Sequence, residues 1–424
     1  MKFLALLALL FISASAEKSR FDNYRVYSVT VENYQQLQAI QYLEEHSDAY
    51  NIFESPHLNA DTEILVPPHK FSDFEELTEN LGMKAKLIIN NYQELIDEEI
   101  KPSRTPRVDA QYDWVSYKNL TEIYAWLDEM AAQYSSVASV RNIGTTHEGR
   151  PIRLFTISKK SGNRGIFVEA NIHAREWISS ATATYLINEL LTSQDPDIVD
   201  IATNIDWYII TNVNPDGLVW TWESNRNWRK TRAPVSALCF GVDVNRNFAY
   251  NWLTPDETGN LGASTTPCTD TYAGTSPLSE NEAKAVESVF ANNIGKFDVF
   301  LSFHSYGHYM LHPWGHTRGH SVDYDLQFAV GNAFRAAVQA VNGINYAVGP
   351  SNTVLYATSG TTPDHAYGQY GIKLSYTIEM RGNGNYGNYG FVLPPEFILP
   401  NAEEVVAGLI GLVNSARTYG YLRN

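Results

Sequence analysis

The sequence predicts an α/β domain, a mixed and mostly parallel sheet with helices on both faces, preceded by a small α+β open sandwich. Three observations carry this. From Tyr112 onward, long helical patterns alternate with nearly continuous apolar strands, the pattern of a sheet buried on both faces. The segment before it differs in order and charge: residues 17–107 hold 17 acids and 9 bases, net −8 of a chain total of −16. With 424 residues, 44% of them hydrophobic, the chain can bury a large core and has length for more than one domain.

The elements follow in chain order. Met1 to Ala16 has one Lys, an apolar stretch from Phe3 to Ile12 and the small-residue end Ser13-Ala-Ser-Ala16, which reads as a secretory signal peptide rather than a membrane span. A strand over 25–31, a helix over 34–45, short apolar runs, a helix over 71–81 and a strand over 85–90 give the order β-α-β-β-α-β. Lys101-Pro-Ser-Arg-Thr-Pro-Arg107 is polar, basic and proline-bearing, an exposed linker that invites trypsin-like cleavage after Arg104 or Arg107; an ordinary interdomain linker is the plainer reading. The domains are therefore read as 1–16, 17–107 and 108–424. In the last, helices are expected over 121–134, 177–191, 279–293, 325–341 and 402–419, the third opening on a Ser279/Glu282 capping box. Strands are expected over 153–158, 165–171, 207–213, 297–303 and 373–379.

Composition excludes some functions. The acidic balance argues against nucleic acid, which needs a basic footprint, and no later run is long and apolar enough to cross a bilayer. The cysteine count, two (Cys239 and Cys268), favours a disulfide in a secreted chain, with two free buried thiols as the alternative. Asn119-Leu-Thr121 is a glycosylation sequon, a weak three-residue signal.

The chemistry concentrates at strand ends, where ligands of such sheets bind. Gly165-Ile-Phe-Val-Glu-Ala-Asn171 runs into His173-Ala-Arg-Glu-Trp177 as a helical pattern begins, so that His173 and Glu176 share one face and offer an imidazole and a carboxylate suited to Zn²⁺. Glu169, in the strand itself, is a different matter. Phe297 to Phe303 delivers His304 as a third ligand; His308, His312, His316 and His320 fall in a loop that holds Gly, Trp and Pro, with no strand to fix them. Ser375-Tyr-Thr-Ile-Glu379 delivers a carboxylate whose desolvation would raise it toward a useful general base; a salt bridge to Arg381 is the bland alternative. Three ligands and a base define a catalytic zinc site with one coordination position left for water. Asn225-Arg-Asn-Trp-Arg-Lys-Thr-Arg232 and Asp243-Val-Asn-Arg-Asn-Phe248 add cationic forks, and an Arg beside an Asn amide suits capture of a free carboxylate.

With these five motifs following one another along the chain in the family's order, from His173 through Asn225, Asp243 and His304 to Glu379, the sequence resembles the secreted zinc metallocarboxypeptidases of the pancreatic A/B group, made as proenzymes. The resemblance implies that His173, Glu176 and His304 hold one zinc ion, that Glu379 is the base, and that Arg229 stabilises the oxyanion. It implies a clamp of Asn245, Arg246 and Tyr356 on the terminal carboxylate, outer subsites at Arg175, Arg226, Ser305, Tyr306 and Phe391, and a Cys239–Cys268 disulfide. The N-terminal unit becomes an inhibitory prosegment whose acidity suits a basic groove. Peptide or protein C-termini are the implied substrates, a trypsin-like protease the activator, and a monomer the form.

Side-chain preference is set by the pocket floor. The resemblance puts Pro363 there, with Leu311, Gly315, Leu355, Thr358 and Thr377 around it and Asp364 one position away. An A-like preference for apolar or aromatic ends follows. Specificity for basic ends, or a catalytically silent peptide binder, are the alternatives; the second would show as loss of a ligand, Arg229 or Glu379, and none is lost.

Overall fold

Tyr27, Val29 and Val31 turn inward at alternate positions of β1 (Arg25–Val31), and the first sheet is built around this strand. The structure is a computed structural model that describes residues 18–46, 49–101, 112–382 and 388–423. Helix α1 (Tyr34–His46) follows, then β2 (Asn51–Ile52), β3 (Ala60–Val66), α2 (Phe71–Asn80), β4 (Lys84–Ile89) and α3 (Tyr92–Glu99). Strand order is β2-β3-β1-β4, antiparallel throughout. Ile40 of α1 and Phe74 of α2 close one face over Val29, Val31, Ile64 and Val66. The expected β-α-β-β-α-β order is present, with α3 added. That helix is short and acidic, and its apolar residues Tyr92 and Ile96 join a cluster that includes Tyr306 and Phe391 of the second domain.

The second domain runs α4 (Leu120–Gln133), β5 (Ala138–Thr145), β6 (Pro151–Ile157), β7 (Gly165–Ala170), α5 (Trp177–Thr192), α6 (Pro196–Asn204), β8 (Asp206–Ile210), α7 (Pro215–Glu223), α8 (Asn281–Ala291), β9 (Phe297–Ser305), β10 (Tyr309–His312), α9 (Tyr324–Asn342), β11 (Ala347–Pro350), α10 (Ser351–Val354), α11 (Thr362–Gly368), β12 (Leu374–Met380) and α12 (Ile398–Thr418). Its sheet has the order β11-β10-β12-β9-β7-β8-β6-β5. The centre, β12, β9, β7 and β8, is parallel, and β10 and β6 flank it antiparallel. Residues of α5, α9 and α12 pack on one face, while α8 and α11 pack on the other, against Phe167 and Phe300. This is the expected mixed sheet with both faces covered. Strands β5, β10 and β11 were not legible, since β5 is largely exposed and the other two have four residues each.

Local caps correct one expectation and sharpen another. Helix α4 opens on a full capping box, Asn119 accepting from the Glu122 amide and Glu122 from that of Asn119, which engages the sequon side chain. The Ser279/Glu282 box does not form. Ser279 Oγ accepts from Asn247 Nδ2 and donates to Glu280 Oε1, and α8 starts after Glu280 instead. Cys239 and Cys268 are disulfide-bonded across a separation of 29 residues. No helix among the described residues is long and apolar enough to cross a membrane.

Glu282 is left at 2% exposure with Oε1 unpartnered, and burial pushes its carboxyl up to about 8. Its folded value lies above the ordinary one, so the stability it contributes is present below about 4.5 and fades as pH rises to about 8. Glu282→Gln is therefore expected to melt with the parent at pH 4 and a few degrees above it at pH 8, read by thermal melts across that range.

Candidate metal centre

The turn after β7 is held by one side chain. Asn171 takes φ +53°, and its Nδ2 lies 3.2 Å from the carbonyl oxygen of His173, 3.3 Å from that of Ala174 and 3.4 Å from that of Glu176. Asn tolerates this left-handed conformation better than other side-chain-bearing residues. Glu176 then serves as N-cap of α5, with His173 in the turn before it. On the neighbouring strand, His304 stands near the end of β9, paired in register with Glu379 of β12.

Three ligand atoms meet there. Glu176 Oε1 lies 2.7 Å from His173 Nδ1, Glu176 Oε2 lies 3.0 Å from His304 Nδ1, and the two Nδ1 atoms are 3.1 Å apart. All three residues are buried. On the far side of the rings, His173 Nε2 donates to Asp243 Oδ1 at 3.1 Å, and His304 Nε2 lies 2.9 Å from Ser302 Oγ. With the protons on Nε2, two imidazole lone pairs and a carboxylate face one point, a donor set that fits a zinc ion. The two imidazoles, working against burial, hold Glu176 far below the usual carboxylate range.

The second rank is organised by Asp243, fully buried before the turn Val244–Arg246. Its Oδ2 accepts from Arg229 Nε at 3.1 Å and Nη2 at 2.8 Å, and its Oδ1 accepts from the Asn245 amide. Arg229, Arg246 and His173 hold Asp243 well below its ordinary range in spite of burial. Glu379 is partly buried in the same cleft, where desolvation pushes it up to about 8; His304 pulls it down, and Glu176 and Glu54 add to the rise. Its expected rival partner, Arg381, instead donates to Glu404 Oε1 at 2.9 Å.

One cleft brings together His173, Glu176, His304, Arg229, Asn245, Arg246, Tyr356, Glu379, Ser305, Tyr306, Phe391, Leu311, Leu355, Thr358, Pro363 and Thr377. Gly315 stands behind this wall, because Thr358 Oγ1 lies 2.2 Å from where a Cβ would sit. Asp364 is turned away, accepting from the Gly315 amide at 3.0 Å and the His316 amide at 3.1 Å, with His316 Nδ1 at 2.8 Å. His308, His316 and His320 stay apart from the cluster; so does His312, which stands on β10 and not in a loop. Arg104, Arg107 and residues 383–387 lie outside the described residues.

Arg175 and Arg226 lie under the N-terminal domain. Arg226 makes a two-point pair with Glu99, both contacts at 2.6 Å, and its guanidinium stacks 3.8 Å over the Trp177 ring. Arg175 donates to the Phe53 carbonyl, while Glu63 accepts from the Tyr306 hydroxyl at 2.5 Å. Phe53 meets Phe391 edge-on, and both Phe53 and Glu54 line the cleft.

A strand-end cluster of metal-ligating side chains, its mouth roofed by the chain's own N-terminal domain, defines a class, a metal-dependent enzyme of mixed α/β fold in a covered form. Residues 123–408 match the zinc carboxypeptidase family, and residues 27–99 match the carboxypeptidase activation peptide. The chain is 36% identical over 419 residues to zinc carboxypeptidase A 1 of Anopheles gambiae, covering 99% of this chain and 95% of that relative. It is 40% identical over 306 residues to carboxypeptidase B of Astacus astacus, covering 71% and 97%. The crystal structure of the carboxypeptidase A from Helicoverpa armigera matches with a TM-score of 0.84 at 27% identity, covering 94% of this chain and 99% of that one. The chain belongs to the zinc carboxypeptidase family and carries its activation peptide; it is a metallocarboxypeptidase whose metal is zinc.

Sequence reading missed Asp243 as a site residue, although a lone acid between Val242 and Val244 is a signal of a buried partner. It also missed Thr361 in the cleft wall, and Phe53 and Glu54, which reach it from another domain. Asp243→Asn is predicted to weaken zinc binding by about tenfold or more, measured by chelator competition, since it unbalances both the His173 tautomer and Arg229.

Proposed function

We propose that the chain is the zymogen of a secreted, monomeric zinc exopeptidase that hydrolyses the last peptide bond of a substrate, preferring apolar or aromatic C-terminal residues. The observation that carries this reading is the shared cleft, in which the ligand cluster, the Glu379 carboxyl and the Asn245, Arg246 and Tyr356 side chains all open on one space. His173, Glu176 and His304 would hold the zinc ion, which when bound would supply a Lewis acid beside the scissile carbonyl and the attacking water. Asn245, Arg246 and Tyr356 bind the substrate's terminal carboxylate; Arg246 Nε is buried without a partner, a donor left for an acid. Glu379 takes a proton from the water and passes it to the leaving amine nitrogen. Arg229, aligned by Asp243, donates to the carbonyl oxygen as charge develops there.

Upstream residues of the substrate occupy Ser305, Tyr306, Phe391, Arg175 and Arg226. The prosegment's Phe53, Glu63 and Glu99 contact four of these, which supports latency by coverage. Cleavage after Arg104 or Arg107, in a domain division of 17–107 and 108–424, relieves it. The preference rests on the wall: Leu311, Leu355 and Pro363 are apolar, and Ser351, Thr358, Thr361 and Thr377 are neutral. The name of the Astacus relative favours a second reading, specificity for basic ends. Against it, the nearby acid Asp364 is consumed by three donors, and a buried cation without a partner is costly.

Trypsin treatment is expected to release a fragment of prosegment size and switch on chelator-sensitive loss of C-terminal residues. Among peptides differing only in the last residue, those ending in Phe and Leu should be cleaved at least tenfold faster, in kcat/KM, than those ending in Lys, Arg or Glu. A preference for Lys or Arg would favour the second reading, and no cleavage by zinc-loaded, processed protein would overturn the enzymatic one.

A further inference from the structure

Behind the ligands, a second row of side chains crosses the sheet. Parallel register sets Glu169 of β7 beside Ser302 of β9, and strand alternation places Ser302 on the same face as His304, two residues on. Glu169 is fully buried in an otherwise apolar strand, Gly165 to Ala170. Its Oε1 accepts from Ser302 Oγ at 2.8 Å, and its Oε2 has no hydrogen-bond partner. An acid so placed weakens a core unless it serves something else.

The hydrogen bonds have only one consistent direction once a cation sits at the Nδ1 atoms. His304 Nδ1 then offers its lone pair, so the ring proton is on Nε2. Two groups stand near Nε2: Ser302 Oγ at 2.9 Å and Asn245 Nδ2 at 3.4 Å. The Asn245 amide nitrogen cannot accept, because Asn245 Oδ1 is the atom that receives the Thr362 amide. His304 therefore donates to Ser302, whose own proton goes on to Glu169. His173 is backed by a carboxylate directly, through Asp243. We propose that Glu169 is a positioning residue for the metal ligand His304, acting through the Ser302 hydroxyl, so that both imidazole ligands are oriented by buried carboxyl groups, one in contact and one a relay away. This rests on the zinc site assigned above, and it predicts an effect on metal affinity that does not depend on substrate.

The test is zinc affinity in the full chain, by competition with a chromogenic chelator, with near-UV circular dichroism to check folding. Ser302→Ala and Glu169→Met are each expected to raise the zinc dissociation constant by about ten- to hundredfold. Because both break one relay, the double variant should bind no more weakly than the weaker single. Effects that multiply in the double variant would overturn the proposal. So would a zinc affinity of Ser302→Ala within threefold of the parent, even with a lowered melting temperature, which is what a packing role alone produces. Ser302→Ala removes a single hydroxyl and decides the matter alone should Glu169→Met not fold. Failure of the parent chain to bind zinc at all would instead sink the site assignment.

Discussion

A buried carboxylate, that of Asp243, holds together groups brought from three parts of the chain. It accepts from the His173 ring, from two nitrogens of Arg229 and from the Asn245 amide, and Arg246 Nη1 approaches to 4.0 Å. A charge with no exposure is tolerable only when paired and hydrogen-bonded on most of its lone pairs, so these groups cannot drift independently. The consequence is shared geometry: the Nε2 tautomer of His173, the orientation of the Arg229 guanidinium and the position of the Asn245 backbone are set by the same two oxygens.

The sheet supplies the other half of that geometry. Parallel pairing between β9 and β12 sets His304 level with Glu379, and pairing between β7 and β9 sets Glu169 level with Ser302. Side chains at one height on adjacent strands share a face, so Glu379 and His304 arrive together at the carboxyl edge. The prosegment approaches this edge with acids. Glu99 meets Arg226, Glu63 meets Tyr306, and Glu44 and Glu54 line a cavity with Arg175 and Arg229. A shared apolar cluster, in which Phe53, Tyr92 and Ile96 join Tyr306 and Phe391, adds non-directional burial to those pairs. The N-terminal domain therefore sits on the surface where the metal-ligand cleft opens.

Much of this was legible in the sequence because the site lies at the ends of apolar strands, where a lone His or Glu stands out. His173, Glu176, His304 and Glu379 were read that way and share one cleft in the structure, and the fold class followed from the alternation that frames them. What stayed hidden depended on distant parts of the chain meeting. Helix α3 and residues Phe53 and Glu54 have meaning only against the other domain, and Gly315 proved to lie behind Thr358 once the loop closed. The Ser279 capping box failed for the same reason, since Asn247, 32 residues earlier, takes that hydroxyl. Asp243 and Glu169 belong to a third kind: charged residues among apolar ones, visible as anomalies but without partners until the register is known.

The geometry has His173, Glu176 and His304 jointly hold one zinc ion, with the Nδ1 atoms as donors. Anomalous difference density collected on both sides of the zinc edge, from crystals of the full chain, tests it directly. A single strong peak is expected about 2.0 to 2.2 Å from both Nδ1 atoms and from Glu176. A peak bound through either Nε2, or one that leaves out any of the three residues, would contradict it.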